Sequence, residues 1–166
     1  MSVLLLVALV LSVAFAYTAI SGAPWVPARS HDIEKLLQSL QLTPDMRYVE
    51  LGCGEGRVLR AVAKTGAQAV GYELNPLLWC IAWLRCLPLP NARVRLANFW
   101  SADLGQADFV LAFLVPRTMH RLATTVTKHM KPGSRLISYV FTLPGHKPEQ
   151  TVKPWLIYRM SPKQSI

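Results

Sequence analysis

Residues 48–57 read Tyr-Val-Glu-Leu-Gly-Cys-Gly-Glu-Gly-Arg, and this stretch constrains the fold more than any other in the 166-residue chain. The apolar run at 48–51 is short enough to be a buried strand. Glycines at 52, 54 and 56 then allow a tight turn with positive φ and a close approach of backbone to a ligand. A helix is predicted over 57–65, with Val58, Leu59 and Val62 on its apolar face and Gly66 at its end. A strand, a glycine turn and a helix form the opening of a βαβ unit. The spacing is G-x-G-x-G, which differs from the G-x-G-x-x-G of dinucleotide-binding turns and from the G-x-x-x-x-G-K-[ST] of phosphate loops. Glu50, two positions before the first glycine, would repel a pyrophosphate but suits an amino group or water.

The rest of the chain alternates in the same way. Residues 24–29 form a stiff, proline-bracketed linker, and Ser30 is expected to cap a helix over 31–41 that buries Ile33, Leu36, Leu37 and Leu40. Further strands are predicted at 69–73, 94–96, 108–113, 135–141 and 154–160, with helices at 76–86 and 117–130. This pattern predicts an α/β fold with a parallel sheet and ligands at the strands' carboxyl ends. Little room is left after the fifth strand for two more. Glu73 ends the second strand, 23 residues after Glu50. A carboxylate there suits the two hydroxyls of a ribose, or serves as the acidic N-terminal charge of the next helix.

Together these residues resemble the class I S-adenosylmethionine-dependent methyltransferases, over about residues 24–160. More narrowly, the chain resembles the membrane-anchored protein-lysine N-methyltransferases that modify the ATP synthase c subunit and the adenine nucleotide translocase. Residues 24–28, 49–57, 70–76 (Val-Gly-Tyr-Glu-Leu-Asn-Pro), 98–100 (Asn-Phe-Trp) and the pair Val115-Pro116 carry that resemblance. It implies a Rossmann-like sheet with helices on both faces, and S-adenosyl-L-methionine as cofactor. Glu50, Gly52, Cys53, Gly54 and Gly56 would lie along its methionine part, Glu73 at its ribose, and Asn98 and Phe99 near its adenine. Trp25, Val26, Pro27, Trp100, Val115 and Pro116, with Phe113, would shape the substrate channel. No single catalytic base is implied. Leu114-Val115-Pro116-Arg117 stands where the amide- and adenine-methylating branch carries Asn-Pro-Pro-Tyr, which argues against that branch.

Charge is distributed unevenly. Lys and Arg number 18 against nine Asp and Glu, a net charge of +9. Residues 1–28 carry no charge, 29–116 are nearly neutral, and 117–166 hold nine basic groups against Glu149 alone. A basic surface of this kind is either simply solvated or faces anionic lipid, where each cation contributes ~1 kcal/mol. Nucleic acid is disfavoured because no RNP aromatic motif, basic helix or zinc-finger spacing occurs. Residues 1–23 are apolar enough for a membrane-spanning anchor, ended by Gly22 and Pro24. A cleaved signal peptide is disfavoured because no Lys or Arg precedes the apolar run. With Arg29 and Lys35 following the anchor, the domain over 24–166 is expected on the cytoplasmic side.

Three cysteines exclude a disulfide scaffold. Cys53 reads as a small spacer in the glycine turn, and Cys80 and Cys86 as core residues. His31, His120, His129 and His146 lack metal-ligand spacing, so no metal is expected. Trp79 and Trp83, one helical turn apart, are either core or membrane-facing surface. The expected activity is methylation of a lysine in a membrane-associated protein. Methylation of a small or lipid-like molecule, or cofactor binding without turnover, are the alternatives.

Overall fold

The computed structural model describes residues 26–161, with Ser2, Leu4, Leu5, Leu6, Ala8 and Ser12. Strands β1 (Arg47–Leu51), β2 (Gln68–Glu73), β3 (Ala92–Leu96), β4 (Phe109–Ala112), β5 (Arg135–Tyr139), β6 (Gln150–Val152) and β7 (Trp155–Arg159) form one sheet. Its order is β3-β2-β1-β4-β5-β7-β6. The first five strands are parallel, while β7 runs antiparallel to both β5 and β6. Strand order reverses between β1 and β4, so the crevice at their carboxyl ends is the topological switch point.

Helices α1 (Ser30–Leu40), α2 (Arg57–Ala63) and α3 (Pro76–Cys86) cover one face of the sheet, and α4 (Met119–His129) the other. The first face buries Ile33, Leu36 and Leu40 of α1 against Tyr48, Phe109, Ile137 and Trp155. The second buries Met119, Leu122 and Val126 of α4 against Val110, Leu136 and Tyr158. Each fully buried aliphatic side chain contributes ~2 kcal/mol, so the two layers are the main support of the sheet.

Several expectations need correction. Two strands follow β5 where little room was expected for two: the strand expected over 154–160 is β7, and the unexpected β6 needs just three residues and pairs with β7 across a tight turn. The sheet is therefore mixed, with an antiparallel edge. Ser30 is the first residue of α1 and caps nothing; Arg29 holds the cap position in an extended conformation, without a side-chain cap. β5 stops at Tyr139 because Val140 turns to φ 68°. A 3-10 turn at Pro116–Thr118 precedes α4, which starts two residues later than expected. Cys86 is buried, but Cys80 is half-exposed. The apolar segment 1–23 lies largely outside the described residues. Among those described, no helix is long and apolar enough to cross a membrane.

Gly71, in the middle of β2, is required for packing. A Cβ there would lie 2.7 Å from both Cys53 Sγ and Leu59 Cδ2, and 2.9 Å from Cys53 Cβ. The glycine turn and α2 rest on this bare backbone. Gly71→Ala is expected to destabilise the fold by about 1–3 kcal/mol, read as a lower urea midpoint at unchanged slope.

Candidate functional site

The glycine turn leaves β1 at the switch point. Gly52, Gly54 and Gly56 take φ of 80°, 54° and 77°, the left-handed region that a side chain resists. The amides of Gly52 and Cys53 both donate to Tyr72 O at 2.9 Å, which fixes the turn to the end of β2. A Cβ on Gly52 would project into open space, whereas one on Gly56 would lie 3.0 Å from Ala82 Cβ of α3. Gly52 thus keeps a surface bare, and Gly56 permits a helix contact. Glu55 pairs with Arg57 and, at 2.7 Å, with Arg85. Burial would raise its pKa, but the hydrogen bonds and charges of the two arginines outweigh this and hold it below the ordinary value.

Glu73 is buried and faces the turn. Its Oε2 accepts from Gly54 N at 2.8 Å, and its Oε1 accepts from Leu74 N at 2.9 Å and Asn75 N at 2.8 Å. Two donors saturate Oε1, so Oε2 keeps one free acceptor position. Beside it, Asn75 Oδ1 caps α3 by accepting from Leu77 N and Leu78 N. Asn75 Nδ2 is a buried donor with no partner. An unmet buried donor costs roughly 1–3 kcal/mol, and a ligand oxygen would relieve it.

Glu50 sits behind the turn, on the sheet face that carries α1 and α2. Burial raises its pKa to about 8; the Tyr48 hydroxyl, donating at 3.2 Å, pulls it down, and the charge of Glu73 pushes it up. The side chain is therefore largely neutral at pH 7. Burial also raises the Cys53 thiol, with help from Glu50 and Glu73, so Cys53 is packing and not a nucleophile.

One strand over, Ala97 N donates to Glu73 O at 3.0 Å and leads into Asn98. Asn98 Oδ1 accepts from Trp100 N at 3.1 Å and caps a 3-10 turn, which leaves its amide nitrogen free to donate. Phe99 and Trp100 pack at 4.8 Å between ring centroids, and Arg121 of α4 lies over Trp100 at 4.1 Å. The structure thus joins Glu50, Gly52, Cys53, Gly54, Gly56 and Glu73 in one cluster, with Asn98 and Phe99 next to it. Trp100 belongs to that flank. Val26 and Pro27 are exposed ahead of α1, Val115 and Pro116 stand at the 3-10 turn after β4, and Trp25 lies outside the described residues.

Phe113, expected at the substrate channel, has ring partners that the sequence reading did not name. Phe113, Tyr139 and Trp155 follow β4, end β5 and begin β7, and their rings form a continuous row, with centroids 4.2 and 4.6 Å apart. Asp32 of α1 closes the row: its Oδ2 accepts from Tyr139 Oη at 3.0 Å, and its backbone O from Trp155 Nε1 at 2.6 Å. Strained Val140 follows directly, its N–H tied to Pro154 O at 2.9 Å. Such strain concentrates at functional sites. The sequence separation of 107 between Asp32 and Tyr139 leaves no local signal that would have paired them.

This strand order, with a glycine turn at β1 and an acid closing β2, defines a class I S-adenosylmethionine-dependent methyltransferase fold. The ANTKMT methyltransferase domain matches residues 50–150, and the chain belongs to that family. It is 34% identical over 132 residues to the ATP synthase c-subunit lysine N-methyltransferase of Rattus norvegicus, covering 77% of this chain and 60% of that protein. The match therefore spans less than two thirds of that relative's own length. A protein-lysine N-methyltransferase of Saccharolobus islandicus (strain REY15A) is 28% identical over 135 residues, covering 78% of this chain and 84% of that one. An RNA methyltransferase from Salinibacter ruber, crystallised with S-adenosyl-L-homocysteine, shares the fold with a TM-score of 0.74 at 23% identity, covering 85% and 96% of the two chains.

The raised Glu50 pKa makes stability depend on pH. Between the unfolded value of 4.5 and the folded value of about 8, the folded chain keeps a proton that the unfolded chain has lost. Stability therefore falls as pH rises through that window, by an amount on the order of 5 kcal/mol when complete. Glu50→Gln is expected to flatten the curve and to raise Tm relative to wild type at pH 8.5, as measured by thermal unfolding across a pH series.

Proposed function

We propose that this chain is an S-adenosylmethionine-dependent methyltransferase that N-methylates lysine in a membrane-associated protein. The observation that carries the reading is the junction of Glu73 with the Gly54 amide beneath the bare surface of Gly52. It supplies a ribose acceptor and a backbone platform side by side at the switch point. The cofactor fits these residues on two counts: Gly52 leaves open space where a side chain would stand, and Asn75 Nδ2 lacks an acceptor.

When bound, S-adenosylmethionine supplies a methyl group on a sulfonium, already activated for displacement by a nucleophile. The chain's own work is alignment and desolvation. Glu73 holds the sugar through Oε2, and Asn98 presents an amide donor to the base. Glu50 waits neutral and ionises when an ammonium group comes near. The cofactor would occupy the ends of β1, β2 and β3, which leaves the ends of β4, β5 and β7 for the substrate. There the rings of Phe113 and Tyr139, backed by the buried Trp155, suit a long aliphatic side chain ending in a cation. The Asp32 carboxylate and Tyr139 hydroxyl at its end suit the amine.

The printed names of the rat and archaeal relatives support lysine as the acceptor. A membrane setting fits the ATP synthase component named for the rat protein and the uncharged residues 1–28. In this reading residues 1–23 anchor the domain, which faces the cytoplasm with Arg29 and Lys35 just beyond the apolar run.

The test incubates full-length protein with methyl-labelled cofactor and isolated membranes, followed by separation of protein from lipid and amino-acid analysis. Label is expected in methyllysine of an integral protein. Label confined to lipid would replace the substrate class, and cofactor binding without label would leave a binding module. Glu73→Ala should weaken cofactor binding at least tenfold by calorimetry, since a charge-assisted hydrogen bond contributes roughly 1.5–3 kcal/mol. Tyr139→Phe keeps the ring row, so it should raise KM for the protein substrate several-fold and leave cofactor affinity unchanged.

A further inference from the structure

Helices on the outside of a water-soluble domain carry charge on their outer face. α3 carries a single charged residue, Arg85, at the margin of that face. Its inner side is Leu78, Ala82 and Cys86, packed on β2, β3 and the glycine turn. Its outer side presents Leu77, Cys80, Trp83, Leu84 and Leu87, the last just past the helix end. Trp83, Leu84 and Leu87 are 43%, 55% and 62% exposed, too much for residues that complete a core. Trp83 stacks on Trp79, whose Nε1 is used by Val94 O at 3.3 Å, so one indole is anchored and the other faces out. Leu96, 49% exposed at the end of β3, extends the apolar surface toward the carboxyl edge of the sheet. A continuous apolar stripe of this kind on a domain surface marks an interaction site.

The border of the stripe indicates its partner. Arg85 stands at one margin, and the neighbouring α2 adds Arg57, Arg60 and Lys64, all exposed. Glu55 is the one carboxylate among them, and Arg57 and Arg85 already hold it. An apolar strip with a cationic margin matches the acyl layer and headgroups of an anionic bilayer. A second copy of the chain would instead bring another positive border and another net charge of +9 against the first. Protein interfaces also exchange about one hydrogen bond per 100–200 Å², and Trp83 alone in this stripe carries a hydrogen-bonding nitrogen. Hydrocarbon asks for none.

We propose that the outer face of α3 lies in the interfacial layer of an anionic lipid bilayer. Trp83, Leu84 and Leu87 enter the acyl boundary, and Arg60, Lys64 and Arg85 meet the headgroups. At 11 residues α3 is too short to span a bilayer and lies along its surface. α3 begins three residues after Glu73, so docking holds the carboxyl edge of the sheet beside the membrane. The inference stands on the helix surface alone and does not require the methyltransferase reading.

The test places an environment-sensitive fluorophore at Leu84→Cys in the full-length chain, with Cys80→Ala to direct labelling, since Cys53 and Cys86 are buried. A second sample carries the label at Thr124→Cys on α4. Both are reconstituted into vesicles of mixed phosphatidylcholine and phosphatidylserine. The label at 84 should shift to the blue and be quenched by lipids brominated in the acyl chains, while the label at 124 should not respond. Adding Leu87→Glu should abolish the quenching at 84 even though the chain still floats with the vesicles. A water-exposed label at 84 on vesicle-bound protein overturns the proposal. So does shielding that rises with protein concentration without lipid, which means a second copy. Shielding at every dilution without lipid overturns it too, because the chain's own N-terminal segment would then cover the stripe.

Discussion

The carboxylate of Glu73 accepts hydrogen bonds from three backbone amides, those of Gly54, Leu74 and Asn75. The first belongs to the turn after β1 and the other two to the turn after β2, so one side chain ties together the two turns that frame the switch point. Glycine is what makes the first bond geometrically available, because Gly54 sits at φ 54° and directs its amide toward β2. The same site depends on Gly71, which leaves room for Cys53 behind the turn. A carboxylate already engaged by three donors is oriented before any ligand arrives, and such preorganisation lowers the cost of binding.

Charge around this point is balanced unequally, according to depth. Glu55 is held by two arginines at the outer rim, and its charge is compensated. Glu50 lies deeper, with the Tyr48 phenol and the Leu59 backbone for partners and no cation, and burial drives it toward the neutral form. Two carboxyl groups five residues apart, one near the end of β1 and one in the turn after it, therefore take different protonation states at neutral pH. The outer one stabilises the turn. The deeper one stores an unfavourable ionisation that an incoming cation can relieve.

The sequence revealed the half of the site built from contiguous residues. Strand, glycine turn, helix and the acid ending β2 are local patterns, and each carries a spacing that physics requires. The α3 boundaries were legible for the same reason, since Asn75-Pro76 is a cap followed by a proline in the first turn. The substrate side was legible at Phe113 but not beyond it. Asp32, Tyr139 and Trp155 come from three further elements, and each alone reads as an ordinary core or surface residue. β6 was missed because three residues with an exposed, polar pattern give no strand signal; their pairing comes from β7. Val140 breaks β5 through backbone geometry that no valine preference announces.

The outer face of α3 shows a different limit. Periodicity finds a helix by contrast between an apolar and a polar side, and here the contrast is absent because both sides are apolar. From sequence alone such a helix is core or membrane surface, and the Trp79–Trp83 spacing fits either. Packing bears on the choice: besides Leu78, the residues that face the domain are the small Ala82 and Cys86, while Leu77, Trp83, Leu84 and Leu87 face outward. A core helix would reverse that order, since burying large side chains yields more free energy than burying small ones. Four large apolar side chains, Leu77, Trp83, Leu84 and Leu87, are thus left for something outside the domain, next to the edge where Glu73 waits.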